Sequence, residues 1–370
     1  MPIIRCRWPK SWANSDFIGP DPVLRGAATA RALTGVRAAV SLRNFFAFGA
    51  VGGSNFRMSR AFVFPGQGSQ AVGMGRELAQ AFTSARLIFE EIDDALSQRL
   101  SRLMFEGPES ELTLTENAQP ALMAVSLAVV RTLTQQTGRS LDTMARFVAG
   151  HSLGEYTALA AAGAFSLGDA ARLLKRRGQA MQQAVPVGEG AMAALLGVEL
   201  AAARTLAADA AAGEVCDVAN DNGASQVVIS GASTAIERAL ALAAERGIKR
   251  AIKLSVSAPF HSALMRPAAD VMQDALSKVE LAVPAVPLIA NVTAEPVSDP
   301  DAIRDQLVQQ VTGLVRWRES VERMASLGVD GFVELGAGKV LSGLVRRIAR
   351  DAKVVAVGTP AELESFAKEL

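Results

Sequence analysis

Residues 150 to 154 read Gly-His-Ser-Leu-Gly, at the junction of the apolar run ending Phe147-Val148-Ala149 and the alanine-rich stretch Glu155 to Ala162. The first reads as the end of a buried strand and the second as a helix, so Ser152 is expected on a strand-to-helix turn. A glycine-flanked serine on such a turn matches G-x-S-x-G, in which a tight elbow raises the hydroxyl above the sheet edge. The first N–H groups of the following helix then face the place where an oxyanion would form. An ordinary glycine turn could carry the same five residues, so the chemistry depends on a base. The chain has two histidines. His151 adjoins Ser152 and its side chain should diverge from the hydroxyl, whereas His261, in SVSAPFHSALM, stands at a strand end before a helix and is the better base. No Asp or Glu lies in an obvious orienting position, so a backbone or amide oxygen is expected to orient His261.

Three other stretches bear on the site. GQGSQAVGMG, residues 66–75, follows a strand but lacks the Gly-Lys-Ser/Thr ending of a phosphate loop and the glycine spacing of a dinucleotide site. Its backbone N–H groups suit an oxyanion hole opposite the serine; the alternative is a plain turn. GAGK, residues 336–339, fails the same nucleotide tests and reads as a helix entry. The helix DAARLLKRRGQAMQQA carries Arg172, Lys175, Arg176 and Arg177. Most of that charge is a solvated face, but Arg177 lies off the Arg172 and Arg176 row, near the inward stripe of Leu173, Ala180 and Met181. A guanidinium there needs a partner, and a substrate carboxylate would provide one.

The elements that must position these residues alternate between strand and helix from residue 58 onward. Strands are expected at AFVF, ARFVAG, PLIANVT, GFVEL and KVVAV, with helices between them, which argues for a mostly parallel sheet covered on both faces. Between Gly190 and Val256 the order becomes βαββαβ, a ferredoxin-like unit. The expected fold class is therefore α/β, with a catalytic domain of residues 58–187 and 258–370 and an inserted small subdomain of residues 188–257. Residues 1–57 form a basic leader with eight Lys and Arg against two acids, leaving 30 basic and 35 acidic residues of the chain's 38 and 37 for the body. Its composition permits a mitochondrial or plastid transit peptide, but without serine enrichment or a clean apolar face it reads rather as a disordered extension ahead of a natural start at Met58. The leader has no recognisable nucleic-acid reader module.

Composition narrows the class further. Half of the 370 residues are apolar, enough for one large core or two modest ones. Cys6 and Cys216 match neither a disulfide framework nor metal-ligand spacing, and imply a reducing compartment. The best candidate for a membrane span, ALMAVSLAVV at 121–130, is too short for one and reads as a core helix.

FVFPGQGSQ, GHSLGEYTALAAAG, RGQAMQQAVP, VSAPFHSALMRPA and VELGAGKVLSGL, in this order and spacing, resemble the malonyl-CoA:acyl carrier protein transacylases of type II fatty acid synthesis. The resemblance runs from about Ser59 to Leu370 and omits only the leader. It implies an α/β-hydrolase-like core with a ferredoxin-like subdomain and ping-pong transfer of a malonyl group to the carrier's phosphopantetheine thiol. Neither metal nor redox cofactor is implied. By position, Ser152 resembles the nucleophile, His261 the base, Arg177 the malonyl-carboxylate clamp, Gln67 and Leu153 the oxyanion-hole amides, and Gln310 the residue whose backbone oxygen orients the histidine. Phe260 resembles an aromatic that crowds the α-carbon against methylmalonyl. Lys249 and Arg250 resemble a basic pair facing the acidic carrier, with Arg346, Arg347 and Arg350 the next patch to test. The expected partners are malonyl-CoA and acyl carrier protein, for a cytoplasmic monomer with no nucleic-acid or membrane partner. An acyltransferase of polyketide synthesis would have the same chemistry, and a serine esterase or thioesterase would share the elbow without a buried arginine.

Overall fold

The computed structural model describes residues 59–370 apart from Ala224 and Ser257, so the basic leader lies outside the described residues. Ten strands are present among them: β1 (Arg60–Phe64), β2 (Phe147–Gly150), β3 (Gly190–Leu196), β4 (Cys216–Asp221), β5 (Gln226–Ala232), β6 (Arg250–Lys253), β7 (Leu288–Ile289), β8 (Pro296–Val297), β9 (Gly331–Leu335) and β10 (Lys353–Val357). Six form one sheet in the order β10-β9-β1-β2-β7-β8, and four form a second in the order β4-β5-β3-β6. The large sheet is parallel except where β8 runs against β7.

Alternation along the central strands decides what covers each face of the large sheet. Phe62 and Phe64 of β1 and Val148 of β2 join a core with Leu122 and Val129 of the helix Thr115–Thr137 and Leu174 of the helix Leu167–Gln183. Ala61, Val63, Phe147 and Ala149 point the other way, toward Trp317 and Val321 of the helix Trp317–Ser326 and Leu344 of the helix Val340–Ile348. Both faces are thus buried, which is why these strands read as near-continuous apolar runs. The long helix Thr115–Thr137 stops at Gly138, whose φ of 65° gives it a left-handed C-cap.

In the small sheet every pairing is antiparallel. Ala191, Ala193 and Leu195 of β3 pack with Ile229 and with Leu206 and Ile236 of the helices Leu200–Ala211 and Ser233–Glu245. The intervening Met192 and Ala194, with Val228 of β5, belong to the core of the large sheet. One face of the small sheet is therefore shared with the larger core.

Two expected elements differ in detail. The strand anticipated over PLIANVT pairs only at Leu288 and Ile289, because Asn291 gives its side chain to the turn after β2, its N–H to the Glu155 carboxylate and its carbonyl to Arg316 N–H rather than to a ladder. The helix anticipated from Ser262 begins as a 3₁₀ turn, Ala263–Met265, and becomes α-helical over Arg266–Ser277, with a proline in its first turn. Among the described residues no helix is long and apolar enough to cross a membrane.

Candidate active site

β1 and β2 are neighbours with Phe64 opposite Gly150, so the loop leaving β1 and the turn leaving β2 emerge together at the carboxyl edge of the sheet. His151 N–H donates to the Phe64 carbonyl, and the helix Gly154–Ala161 starts two residues after Ser152. The glycines are required by close approach. A Cβ on Gly150 would lie 1.9 Å from the Gly154 carbonyl, and one on Gly154 would lie 2.3 Å from the Phe64 carbonyl oxygen. The left-handed residue of the turn is Ser152 itself, with φ 54°. A non-glycine residue held there costs on the order of 1–3 kcal/mol and persists only when its surroundings fix it. Here they do: Ser152 N–H donates to Asn291 Oδ1 at 2.8 Å, Asn291 Nδ2 donates to the Gly150 carbonyl at 2.7 Å, and Gln310 Nε2 donates to the Ser152 carbonyl at 2.8 Å.

His261 also has a left-handed backbone, φ 57°, and is 3% exposed. Its Nε2 lies 2.7 Å from Ser152 Oγ and its Nδ1 lies 2.8 Å from the backbone oxygen of Gln310. A carbonyl can only accept, so Nδ1 carries the proton and Nε2 presents its lone pair to the serine hydroxyl. Burial first, and then the nearby positive charge of Arg177, push the His261 pKa down to about 3, so the ring is neutral in the ordinary working range. His151 turns away: its Nε2 lies 2.9 Å from Asn222 Oδ1 and its ring sits 5.7 Å from that of Trp317.

Arg177 is 1% exposed. Its Nη1 donates to Gln119 Oε1 at 2.9 Å, and its Nη2 donates to Gln310 Oε1 at 2.8 Å and to Ser152 Oγ at 3.2 Å. The Tyr156 ring lies 5.7 Å from its guanidinium carbon, and its Nε has no partner among the described residues. Every hydrogen-bond acceptor of this guanidinium is neutral. The buried acid nearby, Glu155, uses its oxygens elsewhere, accepting from Asn291 N–H and from Gln310 Nε2. Burial pushes the Glu155 carboxyl up to about 7, opposed by those two donors and by the charge of Arg177. A buried cation without a carboxylate in contact, beside a hydroxyl within hydrogen-bond distance of a neutral imidazole, has the chemistry to receive an anion next to a nucleophile.

A cavity of about 360 Å³ opens onto this group, lined by Gln67, Ser152, Leu153, Arg177, Phe260 and His261 among others, with Met181, Met192, Leu254 and Val256 in its wall. The backbone N–H groups of Gln67 and Leu153 donate to no group among the described residues. The six residues expected at the centre, Ser152, His261, Arg177, Gln310, Gln67 and Leu153, are thus brought together. Lys249 and Arg250 are not part of that centre: they are exposed at the start of the edge strand β6, while Leu254 to Val256, directly after it, form cavity wall. The neighbouring Lys253 is paired with Glu237.

Four polar contributors escaped the sequence reading: Gln119, Glu155, Asn222 and Asn291. A signal existed for Asn291, a polar residue ending the apolar run Leu288–Ala290 just where a strand reaches the sheet edge, and for Glu155, whose place in the first helical turn is explained equally well by the helix dipole. No three His, Cys, Asp or Glu among the described residues converge as a metal site.

The chain matches the acyl transferase domain family over residues 61–361. It is 46% identical over 305 residues to a malonyl CoA-acyl carrier protein transacylase of Bacillus subtilis (strain 168), covering 82% of this chain and 95% of that relative. The solved acyl-carrier-protein S-malonyltransferase of Bartonella henselae superposes with a TM-score of 0.82 at 55% identity, over 84% of this chain and 99% of the other. A malonyl-transacylase solved in complex with a type II PKS acyl-carrier protein superposes with a TM-score of 0.81 at 40% identity, over 84% of this chain and 100% of the other. These likenesses span nearly the whole of each relative, and they enclose the segments that bring serine, histidine and buried arginine together. The chain therefore belongs to the malonyl-CoA:acyl carrier protein transacylase family of acyl transferases.

Proposed function

We propose that this chain transfers a malonyl group from malonyl-CoA to the phosphopantetheine thiol of acyl carrier protein, with malonyl-Ser152 as the intermediate. The observation that carries the reading is the buried Arg177 guanidinium, hydrogen-bonded to Ser152 Oγ and paired with no carboxylate among the described residues. An enzyme for uncharged acyl groups has no use for that cation, whereas the distal carboxylate of a malonyl group would pair with it while the thioester carbon meets the hydroxyl. Ser152 Oγ attacks the thioester carbon as His261 Nε2 takes the hydroxyl proton, and the amides of Gln67 and Leu153 hold the oxyanion. The carbon–sulfur bond then breaks and His261 returns the proton to the departing CoA sulfur. The carrier thiol attacks the serine ester by the same steps in reverse. These steps consume no oxidant and call on no metal.

The catalytic residues sit on an α/β-hydrolase-like core, residues 58–187 and 258–370, and the βαββαβ order with the β4-β5-β3-β6 arrangement supports a ferredoxin-like subdomain over residues 188–257. The expected setting is the cytoplasm. Supply of a polyketide carrier is a second reading, favoured by the likeness to a transacylase solved with such a partner. Intact-mass measurement tests the reading: the full chain mixed with malonyl-CoA alone should gain one malonyl group, mapped to Ser152, and holo-carrier protein should remove it. An adduct on another residue, or none, overturns it.

Docking of the acidic carrier needs a local basic patch, since the body of the chain is itself mildly acidic. Lys249 and Arg250 provide one beside the segment that walls the cavity. Lys249→Glu with Arg250→Glu should raise KM for the carrier several-fold, roughly the effect expected of rim charges, without changing acylation by malonyl-CoA. Added salt should weaken wild-type carrier turnover. An unchanged carrier KM in the double variant at low ionic strength moves docking elsewhere.

A further inference from the structure

The Glu155 side chain is hydrogen-bonded to none of Ser152 Oγ, His261 and Arg177, yet Asn291 and Gln310, which between them hold all three residues, both donate to it. One carboxylate oxygen accepts from Asn291 N–H at 3.0 Å, and Asn291 holds the Ser152 amide and the Gly150 carbonyl. The other accepts from Gln310 Nε2, which also donates to the Ser152 carbonyl. The Oε1 of the same Gln310 amide receives Arg177 Nη2, and its backbone oxygen receives His261 Nδ1. Glu155 is 1% exposed and Gln310 and Asn291 are fully buried, so water cannot replace a lost bond at low cost.

The geometry points to Glu155 as the positioning residue that sets the register between the serine elbow and the carboxylate clamp. The inference deepens the proposed malonyl transfer and rests on it. Two donors converge on one carboxyl, one to each oxygen, so the group must accept at both. An amide cannot: whichever way a glutamine is turned, its NH₂ meets either Asn291 N–H or Gln310 Nε2–H, donor against donor. Freed from Glu155, the Gln310 amide can rotate, letting go of Arg177 Nη2 and leaving the Ser152 carbonyl with the backbone N–H of residue 155 alone. The left-handed turn at Ser152, φ 54°, then loses part of what holds it, and the guanidinium loses its register with the nucleophile.

The test is Glu155→Gln in the full chain, with the folded fraction set by circular dichroism and the active fraction by titrating the wild type and variant to full acylation. The rate constant for Ser152 acylation per active site should fall about 10-fold with malonyl-CoA, as expected when a buried partner of a reacting group is lost. It should fall less with acetyl-CoA, lowering the malonyl-over-acetyl ratio. A merely structural role would reduce the folded fraction and leave both the per-site rate constant and the ratio unmoved; that result overturns the inference while wild-type malonylation of Ser152 keeps the underlying reading intact. Should Glu155→Gln not fold, Gln310→Met carries the same test, since it keeps the backbone oxygen on His261 and cuts the one side-chain link from Glu155 to Arg177, leaving the link to Ser152 through Asn291 in place. Wild-type per-site rates and ratio in that variant overturn the inference equally.

Discussion

His261→Ala should slow acylation of Ser152 by malonyl-CoA by about 10²- to 10⁴-fold, the usual worth of a positioned general base. Among the described residues no other base stands beside Ser152 Oγ to replace it. His151, the chain's other histidine, is engaged by Asn222 and faces Trp317, and Glu155 is occupied by Asn291 and Gln310. The loss should appear in both half-reactions, because the same Nε2 that takes the serine proton must return it to CoA and then serve the carrier thiol. Activity that remains should reflect binding and the amides of Gln67 and Leu153, without partners among the described residues, which the substitution does not touch. Rapid-quench measurement of malonyl-enzyme formation and of its discharge to carrier checks this. A rate within about threefold of wild type, far below the usual effect of losing a base, would remove His261 from the mechanism.

The parts of the site that sequence made legible are those whose function demands a particular local pattern. Ser152 announces itself because a serine elbow needs a strand, two glycines and a helix in direct succession, and His261 because few bases were available to choose from. Arg177 was visible as a charge on the wrong side of an amphipathic helix, and it is indeed fully enclosed. What could not be read is the set of residues whose meaning is supplied by other segments. Gln119 lies in a helix whose sequence is apolar around it, and its role depends on Arg177 crossing from another helix. Asn291 stands beyond the end of a strand that was expected to run on through it: alternation and β-propensity say nothing of an elbow 139 residues away that needs an acceptor for its amide. The glycines of the elbow illustrate the same limit within a legible motif. Sequence suggests conformational freedom, but their backbones are there to let β1 and the helix Gly154–Ala161 approach, and the serine takes the strained conformation. The fold followed the same division, with long buried strands and helices readable from periodicity, and the two-residue strands β7 and β8 set by tertiary contacts.

Arg177→Ala should lower kcat/KM for malonyl-CoA by about 10²-fold while sparing acetyl-CoA. Hydrogen bonds to a charged group contribute roughly 1.5–3 kcal/mol each, and a carboxylate taken out of water has no other cation at this position, so the loss of about 3 kcal/mol corresponds to two decades. The acetyl group offers nothing for the guanidinium to hold and forfeits none of that energy. Two effects act in its favour. The positive charge that helps hold the His261 pKa down disappears, making Nε2 a stronger base, and Ser152 Oγ no longer shares its lone pairs with Nη2 at 3.2 Å. Acetyl transfer should therefore hold or rise as malonyl transfer falls, and the ratio of the two carries the result independently of how much protein is active. Arg177→Lys should lie between, because an ammonium keeps the charge but cannot present two parallel N–H donors to a carboxylate. Measured kcat/KM for both thioesters in wild type and the two variants decides it. If Arg177→Ala keeps the wild-type preference for malonyl, the carboxylate is read by another residue and the buried guanidinium serves only to bind Gln119, Gln310 and the serine hydroxyl together.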